Sequence, residues 1–165
     1  MEEDYMRIQD FTDMDKFHEI MKNWARATGL ATVAVDMDGN YISDCFNFTD
    51  FCVKYTRESA EGKRRCEKCD REGTGVYHCH AGLIDFSIDL VVKGEKVGAV
   101  IGGQVLPKDP DEEKFRQVAR ELSIDEDEYI EALNKVNVRS EEGINASAFL
   151  LGDALNNCMD AGYNE

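Results

Sequence analysis

Two long apolar segments, residues 83–92 and 97–106, are separated only by a short polar turn that contains Gly94. Such a turn between two apolar segments is typical of a β-hairpin. Both segments carry apolar residues on both faces in places, as strands do when other elements cover both sides of their sheet. The chain is therefore expected to fold around a central antiparallel hairpin with elements packed on each face.

The N-terminal part of the chain predicts a helix followed by a second, smaller hairpin. Apolar residues recur at helical spacing after Thr12 or Asp13, either of which can cap the helix, and Gly29 is expected to end it. A buried strand is predicted over residues 31–36. An Asp-Gly turn then leads to a returning strand over residues 41–43.

Between the two hairpins, the sequence predicts a short helix over residues 50–57, a polar helix over 60–74 and a strand over 76–79. Glycines near residues 73–75 mark the end of the polar helix. This helix carries little apolar surface with which to dock.

Three helices are predicted from about residue 109 onward. Asp109 with Pro110 can cap the first of them, and Ser123 begins a capping-box pattern for the second. Ser140 can cap the last. The last helix presents one apolar face, formed by Ile144, Ala148, Leu151, Leu155 and Met159.

This order of elements describes an α+β domain of the PAS or GAF kind, an antiparallel sheet flanked by helices. A chain of 165 residues fits a single domain, residues 1–165, with a C-terminal helical segment from about residue 109.

The charge of the chain excludes some partners. Its 34 acidic residues exceed its 19 basic ones, which gives a net charge of -15 and argues against direct nucleic-acid binding. No apolar run approaches the roughly 20 residues needed to cross a bilayer, and the acidic N-terminus lacks a signal-peptide core. We therefore expect a cytoplasmic protein with reduced thiols and no membrane association.

Four of the six cysteines, Cys52, Cys66, Cys69 and Cys79, fall within 28 residues. The Cys-x2-Cys pair has the spacing of half a zinc site, and the other two could complete four thiolate ligands for zinc or an iron–sulfur cluster. A redox switch and structural thiols are the alternatives that the spacing leaves open. Cys45 and Cys158 are expected to be core residues.

Two motifs carry a resemblance to a known family. Cys79-His80-Ala81-Gly82-Leu83, followed about twenty residues later by Gly102-Gly103-Gln104, resembles the PocR sensory domain over about residues 10–110. The resemblance implies a PAS-related module that senses small hydrocarbon derivatives such as diols and usually precedes an output domain. No output domain is evident in this chain, so it is expected to be a fragment or to act on a regulatory partner protein.

A sensor of this kind is expected to bind its ligand between the sheet and the helices, in a mostly apolar pocket with a few polar groups. The predicted ligand-binding residues are Asp36, Tyr77, His80, Phe86, Ile88, Val100 and Gln104. Further candidates for the wall are Val33, Val35, Leu90 and Ile101, and Asp85 is a further polar candidate. Gln104 stands out because a buried amide within an apolar strand needs hydrogen-bond partners.

Three functions remain open at this point. The first is a ligand-binding sensory domain of a signalling or transcription-regulatory system, which uses its last helix as a lever or a homodimer element. The second is a metal or redox sensor that acts through the four clustered cysteines. The third is a thiol-based reductase, although the sequence shows no catalytic triad, phosphate loop or dinucleotide fingerprint, so we expect no enzyme.

Overall fold

The computed structural model describes residues 6–164 and contains a four-stranded antiparallel sheet with helices around it. The strands lie in the order β1-β4-β3-β2, so the predicted β3–β4 hairpin is central. Their bounds are Ala31–Asp36 (β1), Gly75–His78 (β2), Ile84–Val92 (β3) and Glu95–Val105 (β4). The α+β prediction of a PAS/GAF-like antiparallel sheet is confirmed.

Six α-helices and one π-helical segment surround the sheet in the described part of the chain. Their bounds are Ile8–Phe11 (α1), Met14–Thr28 (α2), Ala60–Glu72 (α3), Glu112–Leu122 (α4), Glu126–Leu133 (α5), Glu141–Tyr163 (α6) and Phe51–Thr56 (the π segment). Within residues 6–164, none of these helices combines the length and the apolar character needed to span a bilayer.

The ends of the two longest helices follow from their sequences. The Asp13 side chain accepts a hydrogen bond from the Lys16 backbone N–H, and Gly29 ends α2 with a φ of 75°. At α6, the Ser140 side chain accepts from the backbone N–H of Gly143. Side-chain caps of this kind satisfy backbone donors that the helix leaves free, and these predicted boundaries are confirmed.

The predicted caps of α4 and α5 are wrong, and so is the strand predicted over residues 41–43. Asp111 rather than Asp109 precedes α4, and Asp125 caps α5 by accepting from the Glu128 backbone N–H. Ser123 instead ends α4 in the left-handed conformation, with a φ of 59°. The chain after the first turn stays beside β1 but forms only isolated bridges to it, from Tyr41 to Val35 and from Phe46 to Thr32, so it makes no continuous strand.

The larger core lies between one face of the sheet and the pair α2 and α6. Trp24 of α2 donates its indole N–H to the Ser147 carbonyl of α6 over 2.9 Å, and its ring packs edge-on against Phe86 of β3. The predicted apolar face of α6, Ile144 to Met159, is fully buried here. A Cβ on Gly152 would approach Ile88 Cγ2 to 2.6 Å, so the glycine permits α6 to pack closely on β3.

A second, smaller core joins the π segment, the turn after β2, and helices α4 and α5. Phe51 is at its centre and stacks on Tyr129 with ring centroids 4.3 Å apart. The hydroxyl of Thr56 lies 2.8 Å from that of Tyr129, which links the end of the π segment to α5. Two separate cores therefore hold the sheet and the π segment in fixed positions.

Candidate ligand-binding site

A cavity of about 50 Å³ lies between the second face of the sheet, the π segment and α3. Its walls combine apolar, thiol and polar side chains. They are Tyr41, Phe48, Phe51, Cys52, Thr56, Arg57, Cys66, Cys69, Asp70, Tyr77, Cys79, His80, Ala81, Asp85, Ile101, Gly102 and Gln104. The cavity is the place where most of the residues singled out in the sequence meet.

All four clustered cysteines line this cavity, although they come from three different elements. Cys52 belongs to the π segment, Cys66 and Cys69 to α3, and Cys79 to the turn after β2. As the side chains stand, no three His, Cys, Asp or Glu residues among positions 6–164 form a group that could hold a metal ion. The cysteines therefore share one site without forming a ready four-ligand centre.

Three of the seven predicted ligand-binding residues, Tyr77, His80 and Gln104, line the cavity, as does Asp85. Tyr77 projects from β2 and covers Gly73 at the end of α3, where any Cβ would overlap the tyrosine ring. Gln104 comes from the end of β4. Its neighbours Ile101 and Gly102 on the same strand complete the floor.

The other four predicted residues lie elsewhere. Phe86 and Val100 are fully buried in the larger core, and Ile88 packs against that core beside α6. Alternate residues of a strand point to opposite faces, so these three face α6 while Asp85 and Ile101 face the cavity. Asp36 closes the first turn, where its carboxylate accepts hydrogen bonds from the backbone N–H groups of Asp38 and Asn40.

Gln104 connects the sheet to the segment that leads into the π helix. Its side-chain oxygen accepts hydrogen bonds from the backbone N–H of Thr49 at 2.7 Å and from the Thr49 hydroxyl at 3.0 Å. Gln104 has a φ of 53° and follows Gly103, whose φ is 112°. These left-handed residues accompany an irregular register between β3 and β4, which turns the glutamine toward the cavity.

Asp85 is the acidic group of the cavity. Its Oδ1 accepts a hydrogen bond of 3.0 Å from the Gln104 backbone N–H. Burial raises the pKa of Asp85 to about 7, because the charged carboxylate loses solvation that this single backbone bond only partly replaces. Asp85 can therefore either accept or donate a hydrogen bond near neutral pH.

His80 contacts the thiol of Cys66, with 3.2 Å between Nε2 and Sγ. Within the described residues its other ring nitrogen, Nδ1, is buried without a hydrogen-bond partner. Burial lowers the pKa of His80, and the nearby Arg65 and Arg57 guanidinium groups lower it further. The imidazole is therefore neutral at neutral pH, and one of its two nitrogens carries a lone pair.

Burial also sets the state of the cavity thiols. It raises the pKa of Cys52 to about 12 and that of Cys66 to about 11. Burial raises the pKa of Cys79 as well, while the backbone N–H groups of Ala81 and Leu83, which face its sulfur, partly oppose this. These cysteines are therefore neutral thiols in the absence of a metal, which makes them poor nucleophiles.

Arg57 and Asp70 close one side of the cavity. Arg57 follows the π segment, and its Nη2 lies 2.8 Å from Oδ2 of Asp70 on α3. Neither this pair nor Thr49 could be predicted from the sequence, because the partners are far apart along the chain and no local pattern marks them. The expectation that a buried Gln104 amide needs hydrogen-bond partners is the one sequence signal that leads toward Thr49.

Comparison with known proteins places the chain in a family. The family model described as the sensory domain found in PocR matches residues 10–163. The chain belongs to the PocR sensory-domain family. The match runs through α6 and includes every wall of the cavity. No solved structure matches the chain.

A characterised relative is the regulatory protein PocR of Salmonella typhimurium, which is 36% identical over 157 residues. That alignment covers 89% of this chain and 51% of the relative, so the chain spans about half the length of the Salmonella protein. The family is a regulatory sensory domain and not an enzyme. The thiol-based reductase is therefore not supported.

Proposed function

We propose that this domain senses a small, neutral hydrocarbon derivative that carries hydroxyl groups, such as a short diol, in the cavity beneath the π segment. The observation that carries the proposal is the composition of the cavity. Aromatic and aliphatic side chains line it, while the carboxylate of Asp85 and the amide of Gln104 supply an acceptor and a donor on one wall.

The size of the cavity limits the ligand. A cavity of about 150 Å³ can bind benzene, whereas this one has a volume of about 50 Å³. A ligand of a few non-hydrogen atoms therefore fits with small adjustments, whereas an aromatic ring requires the π segment to move away from the sheet.

The charges of the cavity favour a neutral ligand over a carboxylate. Arg57 is already paired with Asp70, and Asp85 adds a second acidic group. Among the described residues that line the cavity, none is an unpaired cation, so a buried carboxylate ligand would meet this acidic wall alone, which is costly in a partly desolvated site. A hydroxyl group, in contrast, can donate to Asp85 and accept from the NH2 group of Gln104.

A thermal-shift series tests the proposal. We expect short diols to raise the melting temperature of the domain and carboxylic acids of equal size to leave it unchanged, because binding only to the folded state stabilises it. Asp85→Asn should weaken the shift, whereas Asp89→Asn should preserve it, since Asp89 lies exposed on the same strand and pairs with Lys96. Stabilisation by the acids alone would contradict the proposal.

We infer that the ligand signal reaches an output domain, either in the same polypeptide or in a partner protein. The name of the Salmonella relative describes a regulatory protein, and about half of that protein lies outside the match. The exposed side of α6 is the element best suited to homodimer formation, because Phe149 and Leu150 are 53% and 64% exposed. In a homodimer, the α6 helix of each chain would cover Phe149 and Leu150 of the other chain.

Metal or redox sensing through Cys52, Cys66, Cys69 and Cys79 is a second candidate function. The observation in its favour is that all four thiols line the same small cavity. Protein purified under reducing conditions from cells with a normal metal supply should then contain zinc or an iron–sulfur cluster in stoichiometric amount. If it contains neither, and a mild oxidant changes no thiol count, this second function is excluded.

A further inference from the structure

We propose that Cys66, Cys69 and His80 form a site for one thiophilic divalent metal ion, such as Zn²⁺, with its fourth position open toward the cavity. This donor set differs from four cysteines, because it replaces two thiols with an imidazole. The inference does not depend on the organic ligand proposed above, since metal binding can be measured without any ligand.

The first argument is the distance between Cys66 and His80. Zn–S bonds of about 2.3 Å and Zn–N bonds of about 2.0–2.1 Å at a tetrahedral angle place the two donor atoms about 3.5 Å apart. The observed separation between Sγ of Cys66 and Nε2 of His80 is 3.2 Å. Two donors from separate elements, α3 and the turn after β2, are therefore already near the spacing that one ion requires.

The second argument is the unpartnered nitrogen of His80. Nδ1 is buried, and no group among the described residues bonds to it. Since no described protein group holds a hydrogen bond to Nδ1, the ring can take the tautomer that leaves a lone pair on Nε2, the nitrogen that faces Cys66. A metal on Nε2 would fix the proton on Nδ1, where a water molecule or a bound ligand can accept it.

The third argument is the position of Cys69. It lies three residues after Cys66 on α3, so both side chains share one face of the helix, and both line the cavity. No three donors converge among residues 6–164 as the side chains stand, so Cys69 has to change its rotamer to reach the ion. The only side-chain torsion angle that moves this sulfur is χ1, so the change is a switch between staggered rotamers.

The charge of the site balances when the metal ion binds. Binding of a divalent ion by two thiols releases two protons to the solvent. The resulting charge, two thiolates and one divalent cation, is neutral, and no oxidation or reduction is required.

Titration with Co²⁺ and Zn²⁺ under reducing conditions tests the site on the metal-free chain. We expect one ion per chain and a Co²⁺ spectrum with thiolate charge-transfer absorption, which Zn²⁺ displaces. Cys66→Ser, Cys69→Ser and His80→Gln should each weaken binding at least about tenfold. The matched controls are Cys45→Ser, at an exposed position, and Cys158→Ser on α6, both outside the cavity, and these should bind as the wild type does.

Circular dichroism without metal shows whether each variant is folded, so a lost site is distinguished from a lost fold. The inference is overturned if the wild type binds no Co²⁺, if the three variants bind as well as the controls, or if a control loses the ion. Diol stabilisation of the metal-free protein is measured separately, so failure of one proposal leaves the other testable.

Discussion

The carboxylate of Asp85 accepts a hydrogen bond from the Gln104 backbone N–H, and burial raises the pKa of Asp85 to about 7. An unfolded aspartate has a pKa of about 3.9. Between these two values the folded state binds more protons than the unfolded state, so this residue makes the free energy of unfolding fall as pH rises from about 4 to 7. Below and above that window its contribution is constant.

Asp85→Asn removes this titration. We expect the variant to gain stability relative to the wild type as pH rises through the window, by up to about 1.4 kcal/mol for each unit of pKa shift. Urea unfolding at a series of pH values measures the difference, and Asp89→Asn is the control on the same strand. If the free energies of unfolding of Asp85→Asn and of the wild type changed in parallel with pH, burial would not raise the pKa of Asp85.

At the scale of residues, the polar and thiol side chains of the cavity were easier to predict from the sequence than its apolar side chains. The cavity is lined by Tyr77, His80, Gln104 and the four cysteines. These residues could be predicted because polar or reactive side chains stand out within apolar sequence. Phe86, Ile88 and Val100 lie on the opposite face. Since β3 and β4 are apolar on both faces, period-two alternation could not show which face covered a cavity and which covered a core.

At the scale of elements, α3 docks with very little apolar surface. Its only buried residue within the described chain is Gly62, where a Cβ would overlap the carbonyl oxygen of Thr56 at the end of the π segment. Ion pairs add to this contact: Arg65 lies 3.0 Å from Glu121 of α4, and Arg57 pairs with Asp70. The close approach at the glycine therefore positions Cys66 and Cys69 beside the cavity.

Gly62→Ala should push α3 away from the π segment. Alanine favours a helix by up to about 1 kcal/mol over glycine, but the overlap with backbone is expected to cost more, for a net destabilisation of about 1–3 kcal/mol. Urea unfolding measures it, with Glu67→Ala on the exposed side of the same helix as the control. A variant as stable as the wild type would mean that α3 can dock without this contact.

The elements themselves were largely predictable, and their exceptions have local causes. Helical periodicity and caps defined α2 and α6, and the glycine turn defined the β3–β4 hairpin. The capping-box pattern at Ser123 was misleading, because Asp125 follows two residues later and competes for the same role. The short helix predicted over residues 50–57 is present as the π segment, but its π form has no sequence pattern, since it depends on tertiary contacts of Phe51 and Thr56.

At the scale of the whole molecule, the sheet separates the cavity from the helices α2 and α6. One face packs on α2 and α6, and the other forms the floor of the cavity, so alternate residues of β4, such as Val100 and Ile101, contact the two sides. A ligand that shifts the irregular end of β4 therefore acts on α6 through β3, the strand against which this helix packs. In the proposed homodimer, the exposed side of α6 would carry such a shift to the second chain.

A homodimer through α6 has to overcome the net charge of -15 on each chain. Apolar burial of Phe149 and Leu150 favours association, whereas repulsion between two acidic chains opposes it and is screened by salt. We expect the dimer to strengthen as salt concentration rises, in sedimentation or light-scattering measurements. Phe149→Glu with Leu150→Lys should give a folded monomer at every salt concentration, because the pair removes the apolar patch without changing the net charge. Glu142→Gln, on the exposed first turn of the same helix, should leave the dimer intact. A wild type that stays monomeric at high salt would show that α6 does not pair with a second copy.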